Sequence, residues 1–334
     1  MALMITFISR RLLALIPTLI VLSILAFLFV HALPGDPAAV ILGPNATPAA
    51  IQSLRGTLGL DQPLMTQYGS YIAHLVHGDL GSSAVSQQPV ATALLQRAPA
   101  TIELAVVAIL VGAPTGLAAG WFAARRAGTL LDSSLTAVSV IALSAPAFVL
   151  GLLSQFVFGV QFHLLPTIGR SSDSAATGWL ILPSLLHGDL STFSDAIAHL
   201  ILPAVTLAGV PFAVVSRVSR AAFLRAQVLP HVRVAEAKGL PATKVRRGHI
   251  HRIALPPSVT VIGLQFGALL AGSIITENIF AWGGLGSLIV SAIHTNDYVV
   301  LQSCLLFIAV MYVLVNLLVD VVNALIDPRS RRTR

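Results

Sequence analysis

Six long apolar runs divide the chain, over residues 12–33, 102–124, 130–160, 197–223, 258–282 and 300–326. Each exceeds the ~18 apolar residues that mark a helix able to cross a bilayer. Unbroken runs of this length exclude a β-barrel, whose strands are short and alternate. The pattern predicts an all-α integral membrane protein with six transmembrane helices. A shorter apolar stretch, 179–186, carries Pro183 and lies among Ser, Asp and Gly, so it reads as an interfacial or re-entrant piece of a loop. The polar segment 34–100 has turn signals at Pro34-Gly35-Asp36-Pro37, Gly43-Pro44-Asn45 and Gly78-Asp79-Leu80-Gly81. Within it, 47–58 opens on a Thr cap before a Pro and reads as a short helix. A loop of this length serves as a docking surface for a soluble partner or as a lid over the bundle.

Composition agrees. The chain is 56% hydrophobic and 10% charged, whereas soluble domains carry roughly 25% charge. Its mean hydropathy is +0.87. The single cysteine, Cys304, sits in an apolar run; it forms no intrachain disulfide and suits a small buried hydrophobe.

Charge sets the orientation. Six crossings put both termini on one side. Arg10, Arg11, Arg125, Arg126, the nine Lys and Arg from Arg217 to Arg252, and Arg329, Arg331, Arg332 and Arg334 fall on the terminal side. Only Arg55, Arg97 and Arg170 fall on the other, so seventeen basic residues stand against three. By the positive-inside rule both termini are cytoplasmic. The stretch Ser9-Arg10-Arg11-Leu12-Leu13 has a twin-arginine look, but its 22-residue apolar run is longer than the ~7–15 residues of a signal peptide, so a cleaved signal is not expected.

Within the spans, Glu103 lies at the start of the second, Asp132 at the start of the third, Glu277 at the outer end of the fifth and Asp320 near the end of the sixth. None is at mid-depth, where ion and proton relays sit. That argues against an ion-coupled secondary transporter, and no cluster of His, Asp or Glu at one depth suggests an integral-membrane enzyme. In the fifth span, Gly263, Gly267 and Ala271 recur every four residues, with Ala268 and Gly272 on an adjoining face. Such small faces let helices approach closely. Gln265 is an isolated polar group there, for an interhelical hydrogen bond or a pathway. Gln265, Gly267 and Ser273 are the pathway candidates. Pro114 and Pro146 each predict a bend.

The largest loop on the basic side reads "RVAEAKGLPATKVRRGHIHRIALPP" over residues 233–257. Helix formers lead to Gly239-Leu240-Pro241, a stop signal, and helix resumes over 242–251 before entering the membrane near Pro256-Pro257. Val232, Ala235, Ala237 and Gly239 are small or apolar, while Arg233, Glu236 and Lys238 project outward. The residues alone support two readings: a short helix lying in a partner's groove, or a solvated basic loop near anionic headgroups. Tethering at both ends speaks against nucleic acid, and His249 and His251, two apart, do not share a helical face for a metal.

This loop resembles the cytoplasmic EAA-type loop of ATP-binding-cassette importer permeases, in particular the dipeptide/oligopeptide/nickel permease family. Arg233, Ala235, Ala237, Lys238, Gly239, Leu240 and Val245 match that family's pattern directly. The resemblance extends along the chain: "RRLLALIPTLIVLSILAFLFVHALPGDPA", "LGLDQPLMTQYGSYIAHLVHGDLGSS", "ITENIFAWGGLGSLIVSAIHTNDYVVLQ" and "LVNLLVDVVNALIDPR" are similar to successive family segments. The form is that of the first of two paired permeases. Pro230-His231, Val234 and Glu236 depart from the pattern, and Glu236 reverses a common Arg.

The resemblance implies a type I importer permease fold in the bacterial inner membrane. Residues 1–101 would hold the first span and the extracytoplasmic segment. Residues 102–334 would hold a five-span core with a coupling loop at 224–257. It implies three kinds of partner besides the lipid bilayer: a second permease, two cytoplasmic ATPases and an extracytoplasmic solute-binding protein; no nucleic acid is expected. Arg233, Ala235, Glu236, Ala237, Lys238, Gly239, Leu240 and Pro241 would form the element that an ATPase grips. The chain has no Gly-Lys dipeptide and hence no phosphate-binding loop. ATP and Mg would be bound by the partners, and this chain would be no enzyme and hold no cofactor or metal. Peptides are the expected cargo, with nickel or glutathione as alternatives.

Overall fold

The computed structural model describes residues 2–32, 36–43, 45–57, 59–173 and 178–326, with residues 2–12 and 324–326 described by backbone alone. The Pro34-Gly35 turn, Pro44 and the four C-terminal arginines lie outside the described residues.

Helix α1 covers Ala2–Ala32, of which Leu13–Ala32 is apolar enough to span. Three short helices follow: α2 (Pro37–Leu42), α3 (Pro48–Thr57) and α4 (Leu64–Val76). Asp36 caps α2 by accepting from the Ala38 N–H, and the Thr47 hydroxyl accepts from Ala50 N–H at the start of α3. Thus the short helix expected at 47–58 forms. Helix α5 (Val90–Arg125) starts well before the apolar run at 102 and passes unbroken through Pro99 and Pro114. The domain boundary expected at 101–102 therefore falls inside a helix, and Pro114 does not break it.

The third run differs more. It forms α6 (Leu130–Ser144) and α7 (Ala147–Gln161), bent against each other by 99°. Proline supplies no N–H and disfavours helix in the residue before it, and Ala145, which precedes Pro146, is extended. The six-residue α8 (Ile181–Leu186) is the short apolar stretch of the loop. Asp189 caps α9 (Leu190–Gln227) by accepting from Thr192 N–H. Next come α10 (Pro230–Ala237) and α11 (Ala242–Gly272), the latter with a π-type turn over Arg246–Ile250. Helix α11 continues without a break through Pro256-Pro257. It ends at Gly272, ten residues before the expected limit, and α12 (Ile274–Ile279), α13 (Leu285–His294) and α14 (Tyr298–Ile326) complete the chain.

The bent α6–α7 pair crosses the bundle. Asp132, at its start, pairs with Arg220 near the end of α9 at 2.6 Å. Ser171 and Ser172, just beyond it, donate to Asp195 near the start of α9. Those two α9 positions are about 37 Å apart at 1.5 Å per residue. Five helices of the described chain are long and apolar enough to cross a membrane, and six if the bent pair is counted as one span.

Helices α5 and α9 form the centre, in direct backbone contact. A Cβ added at Gly112, Gly116 or Gly120 would stand 2.6, 2.6 and 2.5 Å from the carbonyl oxygens of Ala208, Phe212 and Ser216. Both series advance by four residues, the spacing of one helical face. Helix α11 packs on α14 in the same manner: Gly263 faces Val319, and a Cβ at Gly267 would come 2.7 Å from the Tyr312 ring. Cys304 is fully buried within α14.

Candidate functional site

The basic loop folds as helix, elbow and helix. Helix α10 closes in a Schellman arrangement, with Gly239 N–H donating to Glu236 O at 2.9 Å and Leu240 N–H to Ala235 O at 3.3 Å. This closure needs a left-handed residue, and Gly239 has φ of +71°. Pro241 then opens α11. The chemistry read from Gly239-Leu240-Pro241 is borne out.

One face of α10 is anchored. Val232 and Ala235 are buried against Ala124 of α5, Phe223 and Ala226 of α9, and Val245, Ile250 and Ala254 of α11. Helices α5 and α9, of 36 and 38 residues, are about 54 and 57 Å long, against a hydrocarbon core of ~30 Å. Their ends carry this platform. Higher up, the buried Ser219 and Ser258 hydroxyls join α9 to α11 at 2.9 Å. A push on α10 therefore reaches three spanning helices through packed side chains.

The other face is free. Arg233, Glu236, Ala237, Lys238, Gly239 and Pro241 are exposed. So are Val234, at 52%, and Leu240, at 39%. An apolar patch ringed by charges has the make-up of a docking surface. The exposed Val234, a departure from the family pattern, is part of this apolar patch.

The pathway candidates separate. Gln265 is half-buried and makes no side-chain hydrogen bond among the described residues. Gly267 is taken up by Tyr312. Ser273 is 1% exposed, and its hydroxyl donates to Glu277 at 2.8 Å. It faces into its own chain, so only Gln265 keeps a side chain open to a pathway.

At the opposite end lies a polar network that sequence reasoning missed. Glu277, fully buried on α12, accepts from Thr101 Oγ1 at 2.7 Å, from Ser273 Oγ, and from Gly286 N–H at 2.9 Å. Glu103 pairs with Arg170 at 2.8 Å, both 6% exposed, and accepts from the Leu180 and Ile181 N–H groups. The Arg170 guanidinium also lies over the Trp282 ring, 5.7 Å from its centroid. The network ties the outer ends of α5, α8, α12 and α13 together. Removing one member of a buried pair strands the other, at a cost of roughly 3–5 kcal/mol. Glu103→Ala is therefore expected to lower the thermal midpoint of the purified protein by several degrees; an unchanged midpoint would show that the pair contributes nothing.

The arrangement joins an exposed helix and elbow to the packed ends of three long helices. The family described as the binding-protein-dependent transport system inner membrane component matches residues 116–332, and its N-terminal companion matches residues 4–105. The dipeptide transport system permease protein DppB of Escherichia coli strain K12 is 39% identical over 339 residues, covering 99% of this chain and 100% of the relative. The glutathione transport system permease protein GsiC of the same strain is 40% identical over 328 residues, covering 98% and 99%. Among solved structures, the inward-facing MetNI methionine ABC transporter matches with a TM-score of 0.51 at 18% identity, over 68% of this chain and 93% of that chain, a likeness of fold. The protein thus belongs to the inner-membrane permease component of binding-protein-dependent ABC importers, as a multi-pass subunit of the type that crosses the membrane rather than the type that performs catalysis.

Proposed function

We propose that this permease forms half of a translocation pathway for di- and oligopeptides, and that a cytoplasmic ATPase drives it through residues 230–241. The observation that carries this reading is the α10 elbow: its inner face is packed on three spanning helices and its outer face is free. The excess of basic residues on that side supports a cytoplasmic location for it and for both termini. ATP and Mg are then held by two partner ATPases. The segment 36–89, on the opposite side, receives the solute-binding protein, and a second permease completes the pathway beside Gln265.

The peptide cargo rests on the full-length similarity to dipeptide permeases. Similarity to a glutathione permease favours a second reading within the same chemistry, since glutathione is itself a tripeptide. The test is the reconstituted four-component importer, offered dipeptides, tripeptides and glutathione with its binding protein. Peptide-stimulated ATP hydrolysis with uptake supports the proposal; stimulation by none of them overturns the cargo.

A further inference from the structure

We infer that α4 is an interfacial helix, embedded lengthwise in the lipid leaflet adjoining segment 36–89, with its free apolar stripe facing acyl chains. The argument starts from α1. Its apolar stretch, Leu13–Ala32, is about 30 Å long at 1.5 Å per residue, the thickness of the hydrocarbon core. Ala32 therefore lies near the edge of the hydrocarbon.

Helix α4 is fastened to α1 below that edge. Tyr68 Oη and Ser23 Oγ are 2.8 Å apart, and His31 Nε2 and Gln67 Oε1 are 3.1 Å apart. Between these levels, Phe27 packs against the rings of Tyr68 and Tyr71, with centroids 5.4 and 6.0 Å away. Phe27 is five residues before Ala32, about 7 Å down the helix. Amphipathic helices of membrane surfaces sit about 5–10 Å into the boundary.

The three faces of α4 fit that depth. Gln67, Tyr68, Tyr71 and Leu75 share the flank turned to α1. Thr66, Ser70, His74 and His77 form an exposed polar face about 120° around the helix from it. Met65, Gly69, Ile72, Ala73 and Val76 form an apolar stripe on the remaining side, about 130° from α1. Met65 is 83% and Val76 78% exposed, and no part of the described chain covers them. A helix held sideways against a spanning helix at this depth has water on one free side and lipid on the other. The stripe and the polar face take those two sides.

The test uses single cysteines in a Cys304→Ala background, spin-labelled in the complete importer reconstituted in phosphatidylethanolamine/phosphatidylglycerol vesicles. Collisions with oxygen report lipid, and collisions with a water-soluble nickel chelate report solvent. Labels at Met65→Cys and Val76→Cys are expected to favour oxygen over the chelate several-fold more than labels at Ser70→Cys and His77→Cys. Equal chelate access at all four positions would overturn the inference. Shielding of 65 and 76 from both reagents would also overturn it: seen only with the binding protein present, it would make the stripe a docking surface; seen without it, a subunit interface.

Discussion

Gly116→Leu is expected to abolish the folded permease. Helices α5 and α9 touch backbone to backbone over three successive turns, at Gly112, Gly116 and Gly120. The atom opposite each glycine is a carbonyl oxygen of a continuous helix, with no rotamer to move it aside. A leucine must push the axes apart, which breaks contact at the other two glycines. It also reaches the α10 platform, which rests on Ala124 and Phe223 of the same helices. Overpacking costs ~1–3 kcal/mol where side chains can adjust, and backbone cannot. The expected outcome is loss of detectable protein from membranes at normal synthesis, with Gly116→Ala intermediate. Gly209→Ala, on α9 with no atom within 4 Å of the added carbon, is the matched control and should be neutral. Normal amounts of a stable Gly116→Leu protein would refute the close-packed centre.

The second large effect is on coupling rather than folding. Gly239 has φ of +71° and open space around its Cβ position, so a side chain there meets no wall. Its penalty is conformational. A β-branched residue in the left-handed region costs roughly 1–2 kcal/mol, and the elbow relaxes to avoid it. Leu240 and Val234 then lose their shared orientation. Gly239→Val should leave the protein in the membrane at normal level yet cut ATP-driven uptake by tenfold or more. Gly239→Asn should keep most of it, since Asn tolerates this backbone region. Equal uptake by both variants and the parent would remove the elbow from the coupling route.

Much of this was legible in local chemistry. The spans announced themselves by length and hydropathy. The Gly239 elbow followed from a glycine at a helix end with a proline just after it. The Gly112, Gly116 and Gly120 series is equally readable, at the same four-residue spacing as Gly263 and Gly267. Pro146 shows a limit: a proline inside an apolar run signals a bend, but whether the helix passes through it, as at Pro114, or turns by 99°, as at Pro146, depends on what packs against it. The Glu103–Arg170 pair joins residues 67 apart in sequence, and such a contact leaves no periodic trace. Ser273 is a different case: Glu277 stands four residues on, a spacing that brings the two side chains together on a helix, so their hydrogen bond was legible in the sequence.

The most direct measurement of the account is site-specific cross-linking at the free face of α10. Leu240→Cys, introduced with Cys304→Ala in the assembled, transport-competent importer, should cross-link to an ATPase subunit through a short bifunctional reagent. The extent should change when nucleotide is added, while Ser70→Cys on the opposite side gives no such product. Absence of an ATPase adduct at both Leu240→Cys and Val234→Cys, in a complex that still transports, would contradict the claim that these residues are where the ATPase acts.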